Sequence, residues 1–340
     1  MNAPGVSKRA VRLLITMGDP CGVGPELCVK ALLSRQRPSD AALTIVGSLA
    51  VLRAAAKTLN ADLALARAGT PADLPGNVTV LDVNDFPPEL LSVRSPTADS
   101  GRASIDYIER AVRETMAGRA DAIVTCPISK EAIGAAGSPY PGHTEMLAEL
   151  TGGGKAVMLL IRGGLRVAFA TTHLALRDVP EALTEEGICR TGTVLSAALK
   201  DYFDVHEPRI AVCALNPHGS DGGRFGDEEA RIVEPAVERM RRAGVDVSGP
   251  HPSDTLFARA VAGEFDGVVA LYHDQGMIPV KLGGLGDVVN VTLGLPIIRT
   301  SPGHGTAYDI AGKGIADEGS LMAAISLAAF MERGSKASPA

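Results

Sequence analysis

The chain predicts an α/β protein with mixed, largely parallel sheets, and three observations carry that reading. Short apolar runs alternate with helix-length segments along most of the sequence, the rhythm of strands joined by covering helices. Within Val157 to Thr172, two apolar runs are separated only by Arg162-Gly163-Gly164, too little for a helical crossover, so they read as a hairpin and make a sheet mixed. A length of 340 residues is more than one core usually serves and favours two domains.

The elements follow in order. Val11 to Thr16 is a strand, and Pro25 marks the first turn of the next helix, where its missing N–H costs nothing. Leu43 to Val46 is a strand, Ser48 to Leu59 a helix, Val78 to Val83 a strand, Ala103 to Met116 a helix and Ala122 to Thr125 a strand. After the hairpin come a helix near Glu185 to Lys200, the strand Ile210 to Ala214, a charged helix from Asp227 to Arg242 and the strand Val268 to Leu271. The last helix, Leu321 to Met331, is apolar enough to need a covering surface. The tails, Met1 to Lys8 and Gly334 to Ala340, read as disordered.

Composition narrows the function classes. A formal charge of −6 without a basic run argues against a nucleic-acid surface, because neutralising phosphates takes clustered Lys and Arg. No apolar stretch approaches the roughly 20 residues of a membrane span, and Met1 to Arg12 lacks the apolar segment of a secretory signal, so a cytoplasmic protein is expected. The five cysteines, Cys21, Cys28, Cys126, Cys189 and Cys213, are scattered and form no Cys-x-x-Cys pair. They read as small buried residues; Cys126, in a loop after a strand, is a weak candidate nucleophile with no base beside it.

Three histidines stand just after apolar runs: His173 after Val167 to Ala170, His218 after Ile210 to Ala214, and His273 after Val268 to Leu271. In an open α/β sheet the carboxyl ends of the strands face the ligand crevice, so residues emitted there converge from distant parts of the chain. Three imidazoles with open positions left over suit a catalytic divalent metal. Asp274 can orient an imidazole or move a proton, whereas Asp254 reads as a loop cap. His206 and His251 lie in Pro-containing connections without this context and carry no such expectation.

Other segments suit anions. The loop Gly18-Asp19-Pro20-Cys21-Gly22-Val23-Gly24-Pro25-Glu26 joins the first strand to a helix start, but its glycine spacing is not a dinucleotide fingerprint. Gly142-His143-Thr144-Glu145 opens a helix, either as a simple cap or as a seat for phosphate or carboxylate. Lys130, Lys281 and Arg299 are cations that would complement such an anion once a fold brought them near it.

Taken together, Thr16-Met17-Gly18-Asp19-Pro20, Gly142-His143-Thr144-Glu145, Thr171 to Pro180, Leu215-Asn216-Pro217-His218, Ser253 to Phe257, Tyr272 to Gly276 and Asn290 to Pro296 resemble the 4-hydroxythreonine-4-phosphate dehydrogenase family of vitamin B6 biosynthesis. The likeness runs from Ile15 to about Ala316. It implies an isocitrate/isopropylmalate-dehydrogenase-like two-domain α/β/α fold: residues 1–130 with 290–340 carrying a cofactor loop, residues 131–289 carrying the metal and substrate site and the dimer contacts, and a cleft between. It implies a homodimer whose active site is shared, with one divalent metal on His173, His218 and His273 drawn from both subunits. Zinc is expected first, with magnesium, manganese or cobalt as alternatives. The resemblance also implies substrate contacts by His143, Thr144, Lys281, Asn290 and Arg299, with Asp274 and Lys281 as the candidate catalytic residues. The run from Gly303 to Gly314 looks like the adenosine-binding loop of the wider β-decarboxylating dehydrogenases, which gives Gly303, His304, Gly305, Thr306 and Asp309 as contacts to NAD or NADP.

The implied reaction is metal-dependent, NAD(P)-linked oxidation of a 4-phosphorylated 3-hydroxy acid with decarboxylation, turning 4-hydroxythreonine 4-phosphate into 3-amino-2-oxopropyl phosphate. Two departures bear on the substrate. Gly18-Asp19-Pro20 stands where a Glu-Pro-Ala version is frequent, and Leu282, not an aromatic residue, follows Lys281. Related branches act on 4-phospho-D-threonate or 4-phospho-D-erythronate, which is the alternative. A different class, a metal-free phosphate acyltransferase on a related fold, leaves the strand-end histidines without a task.

Overall fold

The computed structural model describes residues 9–72, 78–154 and 156–335. Its first stretch runs β1 (Val11–Thr16), α1 (Gly24–Leu33), β2 (Ala41–Gly47), α2 (Leu49–Thr58), β3 (Val78–Asp82), α3 (Ala98–Met116), β4 (Ala122–Thr125), α4 (Lys130–Ala135) and α5 (His143–Leu150). The middle runs β5 (Val157–Arg162), β6 (Leu165–Phe169), α6 (Val179–Ala182), α7 (Glu185–Phe203), β7 (Ile210–Cys213), α8 (Glu234–Arg242), β8 (Val247–His251), α9 (Ser253–Val261), β9 (Gly267–Ala270), α10 (His273–Lys281) and β10 (Val289–Leu293). The chain ends with β11 (Ile298–Pro302) and α11 (Gly319–Ser335).

Two compact units result, Met1–Gly154 with Leu295–Arg333 and Lys155–Gly294 with Gly334–Ala340. The lower division thus falls later than residue 130, because α4 and α5 pack on α3. Gly101 permits that packing: a Cβ there would collide with the Ala132 carbonyl.

In the first unit the strand order is β3-β2-β1-β4-β11, and every pairing is parallel. Leu13, Leu14 and Ile15 have no exposed surface, which explains why β1 reads as an unbroken apolar run rather than an alternating one. The helix expected from Ala103 begins earlier, at Ala98. Its first turn is small and polar and shows no apolar period, but Thr97 caps the Ser100 amide and the Ser100 hydroxyl accepts from the Thr97 amide.

In the second unit the order is β10-β5-β6-β9-β7-β8. The expected hairpin is present: β5 pairs antiparallel with β6, turning at Gly163 with φ +54°, and β10 adds a second antiparallel pairing. The remaining pairs, β6–β9, β9–β7 and β7–β8, are parallel. β8 escapes a periodicity reading because Ser248, Gly249 and Pro250 interrupt it, which only an edge strand tolerates. The expected charged helix is a π-helical turn, Glu229–Val233, that runs into α8.

Of the expected disordered tails, residues 1–8 and 336–340 lie outside the described residues, while Gly334 and Ser335 are instead the last turn of α11. Among the described residues no helix is long and apolar enough to cross a membrane.

Two glycines in adjacent helices should respond oppositely to the same substitution. Gly101→Ala is expected to cost about 1–3 kcal/mol through overpacking. Gly134→Ala, on α4 with open space at its Cβ, should be neutral or stabilise by up to about 1 kcal/mol. Urea midpoints of the two variants would check the pair.

Candidate active site

Because β6, β9 and β7 run parallel as neighbours, their carboxyl ends open at one edge, and that edge carries His173, His273 and His218. Side chains tie the three ends together. The Thr171 hydroxyl donates to the Leu271 carbonyl at 2.7 Å, linking the ends of β6 and β9. Gln275, buried in the first turn of α10, accepts from the Leu271 amide at 2.6 Å and donates to the Ala214 carbonyl at 2.7 Å and the Ser253 hydroxyl at 2.9 Å. Those bonds join the β9 end to the β7 end and to α9.

The His173 and His273 rings come to 5.7 Å between centroids. Asp274 Oδ1 lies 2.6 Å from His273 Nδ1, so that nitrogen carries a proton toward the carboxylate and it is Nε2 that faces away from it as the potential ligand atom. A cavity of about 520 Å³ opens beside them, lined by Thr172, His173, Leu176, Tyr272, His273 and Asp274. His218 stands on the same edge but does not complete a triad: among the described residues of one chain, no three His, Cys, Asp or Glu side chains come close enough to hold a metal. Two imidazoles, that of His273 turned by a carboxylate, are donors of the kind that a borderline divalent cation takes.

The loop bearing His218 has an unusual backbone. His218 (φ 55°), Gly219, Ser220, Asp221 and Gly222 are consecutive left-handed residues, and non-glycine residues pay for that conformation. The Glu229 carboxylate straps the loop down, taking hydrogen bonds from the Leu215 amide (2.8 Å), the Asn216 amide (2.7 Å), Asn216 Nδ2 (2.9 Å) and the Ser220 hydroxyl. Burial pushes this carboxyl up, yet the bonds from Asn216 and Ser220 outweigh it and hold it below the usual carboxylate range.

Lys281 ends α10, about 12 Å along the axis from His273 at 1.5 Å per residue. Asn290 lies on β10, its Oδ1 sealed from solvent without a hydrogen-bond partner.

The remaining expected residues are in the first unit. Arg299 on β11 is only 2% exposed, and its Nε and Nη2 donate to the Thr125 hydroxyl at 3.1 and 2.6 Å. Burial lowers its guanidinium to about 10, which still leaves it charged at neutral pH. His143 and Thr144 open α5. His143 Nε2 is buried with no partner, and burial together with the Arg299 charge drives the imidazole well below its ordinary 6.5. A buried cation beside a neutral imidazole with an unspent nitrogen suits an anionic oxygen ligand.

The loop from Gly303 is tied to the first βα connection. Thr306 carbonyl accepts from the Val23 amide (2.9 Å), Tyr308 donates to buried Asp19 (2.7 Å), and Gly22 approaches Thr306 too closely for any Cβ. Glu26 accepts from the Gly314 and Ala316 amides at 3.1 and 2.8 Å, and Lys30 donates to the carbonyls of the same two residues. His304 Nδ1 bonds Gly305 carbonyl at 2.9 Å, while its Nε2 is buried without a partner; Asp309 is exposed. A cavity of about 380 Å³ borders the loop, lined by Cys21, Gly22, Leu59, Pro88, Arg94 and Gly312 among others.

Sequence reasoning singled out neither Gln275, Glu229, Thr125 nor Tyr308 as functional. Gln275 sits inside the Tyr272 to Gly276 motif, so a signal existed; Glu229 is one acidic residue in a charged segment and gave none. Cys126 lies buried with its Sγ 3.7 Å from that of Cys28, and this neighbour and burial push the thiol well above its ordinary 9.0, which disfavours the thiolate that a nucleophile needs.

The model of the family described as pyridoxal phosphate biosynthetic protein PdxA matches residues 39–328. A 4-hydroxythreonine-4-phosphate dehydrogenase of Geobacter metallireducens is 46% identical over 325 residues, covering 95% of this chain and 96% of that protein. A candidate D-threonate 4-phosphate dehydrogenase of Bradyrhizobium diazoefficiens is also 46% identical, over 344 residues, covering 96% and 98%. The crystal structure of 4-hydroxythreonine-4-phosphate dehydrogenase from Klebsiella pneumoniae superposes with a TM-score of 0.84 at 40% identity, covering 95% of this chain and 98% of that one. With its strand-end histidines, its mixed α/β units and a family match across most of its length, the chain belongs to the PdxA family of pyridoxal phosphate biosynthetic dehydrogenases.

Proposed function

We propose that this protein is a metal-dependent dehydrogenase that oxidises the C3 hydroxyl of 4-hydroxythreonine 4-phosphate with NAD or NADP and releases CO2 and 3-amino-2-oxopropyl phosphate. The observation that carries this is the His173–His273 pair with Asp274 seated on Nδ1 of His273, in a chain of this family. A divalent metal held by His173 and His273, with His218 from a second copy, would polarise the hydroxyl and stabilise the enolate left by decarboxylation. NAD or NADP, when bound, would supply the hydride acceptor for C3, and the β-keto acid left by that oxidation would lose its carboxyl group as CO2.

The chain's own residues have separate tasks. Asp274 fixes the tautomer and direction of His273, and Asp274, Lys281 or a water relay is the candidate to take the hydroxyl proton. Asn290, with its unspent Oδ1, and Lys281 are the substrate contacts of the second unit; His143, Thr144 and Arg299 form the anion seat of the first and suit a phosphate or carboxylate. Gly303, His304, Gly305, Thr306 and Asp309 contact the dinucleotide, on a loop held by Asp19, Glu26 and Lys30. A homodimer is supported by apolar side chains left bare on the second unit, Leu176 at 69% and Leu282 at 83% exposed, and by His218, which joins no group of three such ligands among the described residues of one chain.

A second reading, oxidation of 4-phospho-D-threonate or 4-phospho-D-erythronate, is favoured by the equal identity to the Bradyrhizobium protein and by Gly18-Asp19-Pro20. It replaces the C2 amine by a hydroxyl and changes no other step. A metal-free acyltransferase gives the paired imidazoles no task and is set aside.

Incubating the metal-loaded protein with NAD or NADP and each phosphorylated compound should produce reduced cofactor most efficiently with 4-hydroxythreonine 4-phosphate; a preference for the threonate or erythronate selects the second reading. His273→Ala should remove bound metal and turnover together, and full activity without metal would eliminate the scheme. Arg299→Ala should raise KM by about tenfold or more, as loss of a charged hydrogen bond does; an unchanged KM excludes it as an anion clamp.

His143 also predicts a pH dependence of stability. Its folded pKa lies below its unfolded one, so between the two the unfolded chain binds the proton and stability falls with acidification, while above the unfolded value the contribution is complete. Wild type should therefore lose more stability than His143→Gln between about pH 7 and 5.5, read by urea midpoints at each pH.

A further inference from the structure

We propose that Glu229 is the positioning residue of His218: one buried carboxylate clamps the chain on both sides of the imidazole-bearing residue and so sets the direction in which the ring is presented. This rests on the reading of His218 as a metal ligand and goes beyond it, since Glu229 touches neither metal nor substrate. Its Oε1 takes the Leu215 and Asn216 amides, which precede His218, and its Oε2 takes Asn216 Nδ2 and the Ser220 hydroxyl, the latter two residues after it. Glu228 reinforces the same side, receiving Asn216 Nδ2 at 2.7 Å.

The clamp answers a physical question the loop poses. His218 is exposed, and together with Ser220 and Asp221 it occupies left-handed backbone that a side-chain-bearing residue leaves readily. An exposed segment of this kind holds one conformation only if something over-determines it. Glu229, 2% exposed, is that constraint, anchored at the start of the helical run into α8, whose Ala236, Val237 and Met240 are buried. A carboxylate satisfied by four donors has no better alternative in water, so the strap is a fixed geometry rather than a surface contact.

Metal binding by the full-length protein tests this without relying on turnover. Zn²⁺ affinity by calorimetry and the visible spectrum of the Co²⁺ form would be compared for wild type, His218→Ala, Glu229→Gln and Ser220→Ala. Glu229→Gln keeps the size but puts a donor against donors; it should weaken Zn²⁺ by about 10–100-fold, as loss of a ligand's supporting partner does, and shift the Co²⁺ bands. Ser220→Ala, which keeps the carboxylate and loses one strap, should weaken binding less and in the same direction, and it carries the test if the Gln variant does not fold. Wild-type affinity and an unchanged Co²⁺ spectrum in Ser220→Ala and in a folded Glu229→Gln overturn the proposal while leaving His218 a ligand. Wild-type affinity in His218→Ala overturns the ligand reading, and the role of Glu229 with it.

Discussion

The constraint on which the site depends is the parallel run β6–β9–β7 in the second unit. Parallel neighbours must release their chains at the same edge, so one topological choice brings together residues separated by about a hundred positions. Topology alone leaves the loops loose, and hydrogen bonds complete the work. Thr171 sets β6 against β9, Gln275 sets β9 against β7, and Asp274 orients the ring that follows. None of these bonds is strong by itself, each worth about 1 kcal/mol net. Their value is geometric, because a ligand displaced by an ångström is a poor ligand.

The first unit handles charge by a different device. Arg299 is buried and donates to the Thr125 hydroxyl, and though burial lowers its guanidinium to about 10 it stays charged at neutral pH; His143 is kept neutral by burial beside that cation. The pair offers one fixed positive charge and one uncharged ring in place of two competing cations. Such a pair is prepared before any ligand arrives, and an anionic oxygen would meet it without reorganisation.

Much of this was legible in the residues. The alternation of apolar runs and helical stretches, the Arg162-Gly163-Gly164 turn and the position of each histidine after a strand follow directly from the pattern, and the structure has them all. Three strands did not stand out from the pattern: glycine and proline interrupt β8, β11 carries Arg299, Thr300 and Ser301 in a row, and β10 does alternate but over only the five residues Val289 to Leu293. The start of α3 was hidden for the opposite reason: its cap is written in Thr97 and Ser100, outside the apolar period. The residues that hold the site, Glu229 above all, stayed invisible because a buried acceptor and an exposed acid look alike in sequence; only the partners distinguish them. The boundary at 154 was equally unreadable, since it depends on how closely α3 and α4 approach at Gly101.

The return of the chain to the first unit has a consequence for biogenesis. All strands of the second unit lie between residues 155 and 294, whereas the first cannot pair β4 with its last partner until Ile298 to Thr300 have been made. On a ribosome the middle of the polypeptide can reach its native pairing while the β4 edge is still bare, a sticky template awaiting its complement. A nonsense or frameshift lesion after residue 294 would therefore strand an otherwise complete second unit beside an unfinished first one. Quality control would meet that product as an open sheet edge.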